Sequence, residues 1–408
     1  MEKQFRIGLI REAKIPQDNR VAFTPAQCHW IQLHYPHVKM IAQPSPHRCY
    51  TDAEYAAAGI EVADDMASCD ILLGIKEVPA DLLIAGKKYL FFSHTKKKQP
   101  YNQRMLQVIA EKNITLIDYE CLTHSDGQRM LGFGFFAGVV GAHNGLMAYG
   151  QRTGTFHFKR VHACHDFQEL ISHYFGIKLP PVKIVITGSG RVTAGTLEIM
   201  GLLGIKYVTP DALLMHDYEY PVYTQLKAGE LYLSKKDRTY NREDFHYHPE
   251  NYDCRFRPFV KSADILINGI YWDQRIEQLF SWEDLKNPHF RIQVIADITD
   301  DASGSIPCNL GDASIEDPVY GVNRQQGTKT APHLAGSIDM MCVGNLPNEL
   351  PRDASHYFGD QLMKYAFDEL LAPKTDLIKR ATIVENGALT AEFSYLKDYL
   401  EGKETVTA

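Results

Sequence analysis

Three short apolar runs in the first third of the chain each end in residues that can move a proton or hold a charge. ILLGI (71–75) runs into Lys76 and Glu77, YLFFS (89–93) into His94, and residues 114–117 into Asp118, Tyr119 and Glu120. Runs of this length and composition read as buried strands. In a parallel sheet such strands bring their carboxyl ends to one edge, where open α/β sheets bind ligands. A lysine at that edge loses solvation, which lowers its pKa and suits Lys76 to proton transfer. Taken alone, Lys76 reads equally as a lysine laying its stem over apolar surface. His94 is an acid–base candidate because imidazole titrates near ~6.5, and a satisfied structural histidine is its plain alternative. Arg11 and Arg20 flank the loop after a first strand at residues 5–10. Either can grip a carboxylate in a two-pronged fork, or remain solvated. Glu77 and Glu120 can attract a substrate ammonium or tune Lys76, and ordinary surface acids are the alternative.

A second chemical signal lies at residues 181–211, PVKIVITGSGRVTAGTLEIMGLLGIKYVTPD. A β-branched run, a glycine turn, a helical pattern and a second short run make one βαβ unit. Gly188 permits the tight turn and Gly190 lets a pyrophosphate approach the helix N-terminus. Arg191 and Gly195 lie in the same stretch, although Thr193 holds the third fingerprint position. Asp211 falls about twenty residues on, where an acid would meet a ribose. Thr209-Pro210-Asp211 reads equally as a helix start. Asn268, Gly269 and Asp301, which follow later strand-like runs, complete the set expected to bind a dinucleotide, NAD or NADP. His157, His162, Cys164 and His165 match no metal-ligand spacing, and no G-x-S-x-G elbow occurs.

These residues need two parallel sheets to position them. A chain of 408 residues suggests two domains. A net charge of -7 and a single short basic run, Lys96 to Lys98, argue against a nucleic-acid surface. No stretch reaches the ~18 to 20 apolar residues of a membrane span, and the charged N-terminus is no secretory signal. Eight cysteines without a CxxC pair point to a cytoplasmic chain with reduced thiols. Residues 132–150, rich in small side chains, read as a long helix leaving the first domain. Residues 217–257 read as a polar, aromatic insertion. The amphipathic run 355–371 is expected to pack back onto the first domain. The expectation is therefore an α/β protein of two Rossmann-like domains with parallel sheets. The substrate domain is discontinuous, 1–140 plus 345–408, the dinucleotide domain spans 141–344, and Lys76 and His94 face a cleft between them.

Several of these stretches occur together in one family. REAKIPQDNRVAFTP (11–25), LLGIKEVP (72–79), LFFSHTKKK (90–98) and GFGFFAGVVGAHN (132–144) resemble the alanine dehydrogenase, transhydrogenase and saccharopine dehydrogenase superfamily. YNREDFHYHPENYDCRF, ILINGIYWDQR, ADITDDASGSI, IEDPVYGVN and NLPNELPRDAS resemble its saccharopine-forming, lysine–ketoglutarate reductase branch. The resemblance implies hydride transfer between a nicotinamide cofactor and an imine of lysine with 2-oxoglutarate. It implies an acid/base pair at Lys76 and His94, a carboxylate-binding Arg20, and Glu77 and Glu120 near the substrate amine. It also implies small-molecule partners, an amino acid and a 2-oxo acid, and is compatible with a homo-oligomer. An alanine dehydrogenase and a non-catalytic nucleotide-binding protein are the alternatives. Phe135-Phe136 stands where the branch often has an aromatic–Trp pair, and Gly344 stands where it usually has an acid.

Overall fold

The computed structural model describes residues 4–372 and 375–403. Residues 1–3, 373–374 and 404–408, part of the expected substrate domain, lie outside the described residues. The chain divides into two units, Met1–Phe133 with Pro351–Ala408, and Gly134–Leu350. The break falls at Gly134 because the helix Gly134–Thr153 packs wholly into the second unit.

The first unit is built on β1 (Phe5–Leu9), β2 (Val38–Ala42), β3 (Glu61–Val62), β4 (Ile71–Leu73), β5 (Lys88–Phe91) and β6 (Thr115–Asp118). They run parallel in the order β6-β5-β4-β1-β2-β3. An antiparallel pair, Thr382–Glu385 and Ala388–Leu389, extends the sheet beyond β6. β4 is buried along its whole length, as a strand covered on both faces must be. The helix Pro25–His34 starts at a reciprocal cap, where Thr24 accepts from the Gln27 amide and the Gln27 side chain from that of Thr24. The helix Pro351–Tyr365 returns to this sheet. Its Phe358 and Leu362 join Ile7, Leu72 and Leu90 in one core, and Phe358 stacks on Phe133 at 4.6 Å.

The second unit holds β7 (Lys183–Thr187), β8 (Lys206–Tyr207), β9 (Val222–Leu226), β10 (Tyr232–Ser234), β11 (Tyr252–Cys254), β12 (Ile265–Asn268), β13 (Val294–Asp297), β14 (Val319–Asn323), β15 (Lys329–Thr330) and β16 (Ser337–Met341). Six strands are parallel in the order β8-β9-β7-β12-β13-β16, and β14 and β15 continue antiparallel. β10 and β11 form a separate hairpin. Two expectations change here. The run after the glycine-turn helix is not the neighbour of β7: β8 pairs with β9, and β9 pairs with β7. β9 also comes from inside the supposed insertion. Burial explains both, since Val222, Thr224 and Leu226 are buried whereas the two residues of β8 are exposed.

The small residues of Gly134–Thr153 have a packing cause. A Cβ on Gly138 would lie 1.8 Å from the Val192 carbonyl oxygen, and a Cβ on Gly195 would lie 1.8 Å from that of Phe135. Two helices thus touch backbone to backbone through reciprocal glycines, with Thr196 Oγ1 donating across the contact to the Gly138 carbonyl at 3.5 Å. Overpacking of this kind costs roughly 1–3 kcal/mol or more. Gly138→Val should therefore lower the urea midpoint sharply. Gly201→Ala, in the partner helix Arg191–Leu202 with open space at its Cβ, should be neutral or stabilising by up to about 1 kcal/mol. Equal midpoints for both variants would remove the close-packing account.

Candidate active site

The loop after β1 folds over the carboxyl ends of the first sheet. Glu12 turns its carboxyl inward, accepting the backbone N–H of Ile75 at 2.6 Å and of Lys76 at 2.9 Å. Lys14 Nζ donates to Glu77 Oε2 at 2.7 Å. Glu77 Oε1 meets His94 Nδ1 at 2.7 Å and accepts from Asn102 Nδ2 at 3.3 Å. Arg20 forks onto buried Asp18 at 2.9 and 2.6 Å, with its guanidinium 4.1 Å over the Phe133 ring. At the end of β6, Glu120 is buried; one oxygen meets Arg129 at 2.9 Å and the other is buried without a partner. Adjacent strands β1, β4, β5 and β6 therefore deliver these groups to one edge.

The electrostatics divide three carboxyls into two states. Burial, then the Asp18 charge, push Glu12 up to about 8. Burial also raises Glu77 and Asp18, but it is outweighed. His94 and Lys14 hold Glu77 at about 2, and Arg20 holds Asp18 at about 2. Burial, followed by the Arg20 charge, lowers the Lys76 ammonium from its ordinary value. Ionised Glu77 accepts from Nδ1 of His94, so that nitrogen carries a proton, and in the neutral ring Nε2 is the acceptor. Glu77 bonds His94, and its charge also reaches the neighbouring Lys76, where it opposes the lowering without cancelling it.

Arg11 is placed elsewhere. Its guanidinium meets Asp64 at 3.1 Å and the Pro44 carbonyl at 3.5 Å, on an exposed surface. The residues missed in the sequence are Glu12, Lys14, Asp18 and Asn102. For the first three, the charge density of the loop between β1 and the first helix was the signal; Asn102, before the helix Gln103–Glu111, had none. The direction of that loop was not readable, because it depends on β4 passing beneath.

In the second unit, Gly188 adopts φ 102°, and a Cβ there would press to 2.7 Å on the Gly269 carbonyl oxygen. Gly190 caps the helix Arg191–Leu202 with no side-chain bond to the first turn. A Cβ on Gly190 meets nothing within 4 Å. Thr193 Oγ1 is buried beneath the turn without a partner. A tight glycine turn facing an uncapped helix N-terminus fits a pyrophosphate. Arg191 opens that helix, and Gly195 is taken up by the helix contact. Asn268 ends β12 beside the turn and bonds Thr187 at 2.6 Å. Asp301 follows β13 on the surface. Asp211 lies exposed in the first turn of the helix Pro210–Met215, capped by Thr209, beyond β8 and two strands from β7. The strand beside β7 ends instead at Leu226, before exposed Lys227.

Both sheets and both strand-end sites define a dehydrogenase-like fold of paired α/β units. Residues 8–140 match the alanine dehydrogenase/PNT N-terminal domain. The whole chain resembles a solved L-alanine dehydrogenase in fold (TM-score 0.66, 16% identity, covering 97% of this chain and 100% of that one). It also resembles a transhydrogenase from Sinorhizobium meliloti (TM-score 0.56, 14% identity, 94% and 98% covered). It is 30% identical to a mitochondrial alpha-aminoadipic semialdehyde synthase of Mus musculus, over 90% of this chain and 45% of the relative. It is 25% identical to a saccharopine dehydrogenase [NAD(+), L-lysine-forming] of Emericella nidulans, over 88% and 90%. The chain spans under half the length of the synthases it matches. Residues 8–140 thus carry an alanine dehydrogenase/PNT N-terminal domain, and the chain is similar in sequence to these synthases and saccharopine dehydrogenases. Among the described residues no helix is long and apolar enough to cross a membrane, and all eight cysteines are free thiols.

Two outcomes follow from this geometry. Glu77 and Asp18 add stability above their ordinary values of 4.5 and 3.8 and lose it as pH falls toward about 2. Glu12 stabilises in its neutral form, so its contribution is full below 4.5 and is lost as pH rises through about 8. In melting curves across that range, Glu12→Gln should flatten the neutral limb. Glu77→Gln should flatten the acid limb and lower stability at neutral pH by roughly 1–3 kcal/mol. A wild-type neutral limb in Glu12→Gln would mean that Glu12 is ionised. Separately, Gly190→Val has room to fold, yet places a branched side chain where a pyrophosphate approaches. It should weaken NAD(P)H binding in calorimetry while leaving the melting midpoint close to wild type, and unchanged affinity would move the site elsewhere.

Proposed function

We propose that this chain is an NAD(P)-dependent saccharopine dehydrogenase, joining lysine and 2-oxoglutarate reductively or running the reverse oxidation. The observation that carries the reading is the strand-end cluster in which buried Glu77 bonds His94 and follows Lys76, whose ammonium is lowered by burial. The names of the relatives on the saccharopine branch support the substrate class.

A bound nicotinamide cofactor supplies the hydride step, and the rest falls to the chain's own residues. Carbinolamine and imine chemistry needs protons delivered to and removed from nitrogen and oxygen. Lys76, held by burial below its ordinary pKa, takes and returns a proton at one of those atoms. His94 serves the other through Nε2, kept in that tautomer by Glu77. Arg20, fixed by Asp18 and Phe133, lends its charge to a substrate carboxylate. The unpartnered buried oxygen of Glu120 is a ready acceptor for a substrate ammonium. At the glycine turn, Gly188 and Gly190 admit the pyrophosphate. Lys227, in place of an acid after β9, favours a ribose carrying a 2′-phosphate, and hence NADP over NAD.

The assay is loss of reduced-cofactor absorbance with lysine and 2-oxoglutarate, using NADPH and NADH in parallel, against pyruvate and ammonia. Lys76→Met and His94→Gln should each keep cofactor affinity and lower turnover by roughly 10²- to 10⁴-fold. The double variant should lose less than the product of the single losses, because both act through one proton path. Turnover with pyruvate and ammonia alone would replace this reading by an alanine dehydrogenase. No turnover with any amine and 2-oxo acid would end it.

A further inference from the structure

His94 and Asn102 bracket a strap of the first unit, and both bond the same oxygen. Glu77 Oε1 meets His94 Nδ1 at 2.7 Å and accepts from Asn102 Nδ2 at 3.3 Å. Between them the backbone turns back through two left-handed residues, His94 at φ 52° and Lys98 at φ 54°. Residues with a Cβ adopt that conformation at a cost, and keep it only where their surroundings fix it. Inside the strap the backbone supplies two bonds, from Lys98 to the Thr95 carbonyl at 2.9 Å and from Asn102 to that of Gln99 at 3.1 Å. Its base is tied to the end of β6: Asp118 accepts the Ser93 amide at 3.0 Å, and the Ser93 and Thr95 hydroxyls meet at 2.8 Å.

The outer side of the strap is held by a segment from the far end of the chain. The Tyr395 hydroxyl donates to the Lys96 carbonyl at 3.2 Å, and the Tyr399 hydroxyl donates to the Gln99 carbonyl at 2.5 Å. One bond thus lies on each side of left-handed Lys98, whose ammonium sits 5.8 Å over the Tyr395 ring. Tyr399 is fully buried and Tyr395 half-exposed. Burial raises both phenols, Tyr399 to about 12, so each keeps the proton it donates. The segment is itself clamped to the helix Gln103–Glu111. The Gln103 and Gln107 side-chain amides donate to the Tyr399 and Leu400 carbonyls at 2.7 and 3.0 Å.

We propose that Tyr395 and Tyr399 are positioning residues for His94: by pinning the strap on either side of Lys98, they keep both its ends on Glu77 Oε1 and hold the His94 ring with Nδ1 on that oxygen. Each phenol acts through a backbone carbonyl of the strap. The effect on turnover rests on the dehydrogenase reading above, whereas the effect on the His94 ring does not.

The test reads the histidine both directly and through turnover, on the full chain. With ¹⁵N-labelled histidine, neutral His94 (identified by its loss in His94→Gln) should show one tautomer in the wild type, with the proton on Nδ1. Tyr399→Phe should mix the two tautomers and lower turnover by roughly 10- to 10²-fold, the scale of a displaced catalytic group. Tyr395→Phe, at a half-exposed position, should do the same to a smaller extent. Gln107→Ala loosens the same segment without touching the strap. It should lower the melting midpoint and leave tautomer and turnover as in the wild type. In a His94→Gln background, Tyr399→Phe should cost no further turnover, because the ring it positions is gone. An unchanged tautomer in folded Tyr399→Phe, or in Tyr395→Phe should the first variant not fold, would overturn the proposal. So would losses that multiply in the double variant, which is what a purely structural role produces. If no amine and 2-oxo acid turn over, the dehydrogenase reading fails and the tautomer alone decides this one.

Discussion

A buried carboxylate that must stay ionised governs the first unit. Glu77 is 6% exposed, and burial pushes its carboxyl toward the neutral form. It stays charged because Lys14, His94 and Asn102 reach it from three different elements. Each of those contacts constrains a backbone path. Lys14 brings the loop after β1 across the end of β4. His94 takes a left-handed backbone at φ 52° immediately after the β5 run, which aims its ring back toward β4. Asn102 brings in the start of the next helix. Remove the carboxylate and these segments have no common partner; remove one partner and a buried charge is left short of hydrogen bonds, the costlier failure.

The second unit meets a related constraint with a buried polar network. Its strand ends are tied by Thr187, Asn268, Asp297 and Asn309, all fully buried. Burial raises Asp297, and its hydrogen bonds oppose that shift without cancelling it. A polar network at this depth tolerates no unpaired member, so it holds β7, β12 and β13 in register at their carboxyl ends. The close helix contact through Gly138 and Gly195 works on the opposite side of the same turn: it fixes the helix whose N-terminus faces the phosphate position. The turn is thereby held from below by hydrogen bonds and from the side by backbone contact.

What was legible in the sequence follows from these forces. Strands β4, β5 and β6 stood out because covering both faces leaves an unbroken apolar run, and the residue after each run was conspicuous by contrast. The glycine turn stood out because φ 102° at Gly188 excludes most other residues. β9 was not legible, since a half-buried strand of Val, Tyr, Thr, Gln and Leu within a polar, aromatic stretch reads as an insertion. Asp211 had the expected spacing, yet Thr209 and Pro210 gave it a second meaning as a helix start, and the structure places it there. Arg11 and Arg20 looked alike in sequence. Only tertiary contacts separate them, one paired with Asp64 at the surface and the other forked onto buried Asp18. Glu12 carried no signal of its own, because its role depends on the backbone N–H groups of Ile75 and Lys76, which belong to another strand end.

That last dependence shows how one loop sets two charge states. Glu12 and Asp18 are six positions apart in the same loop. The ionised Asp18 helps to keep Glu12 neutral, and Arg20 keeps Asp18 ionised. The same Arg20 charge also depresses the Lys76 ammonium. Burial and the Asp18 charge thus keep Glu12 neutral against the Arg20 charge, burial and then Arg20 lower the lysine, and the neutral Glu12 anchors the backbone of that lysine without adding a negative charge that would hold its proton. Environments that push neighbouring titratable groups apart are what allow acid and base to coexist near neutral pH. Here the separation is built before any substrate arrives, and it is built from a loop whose shape is set by the strand it crosses.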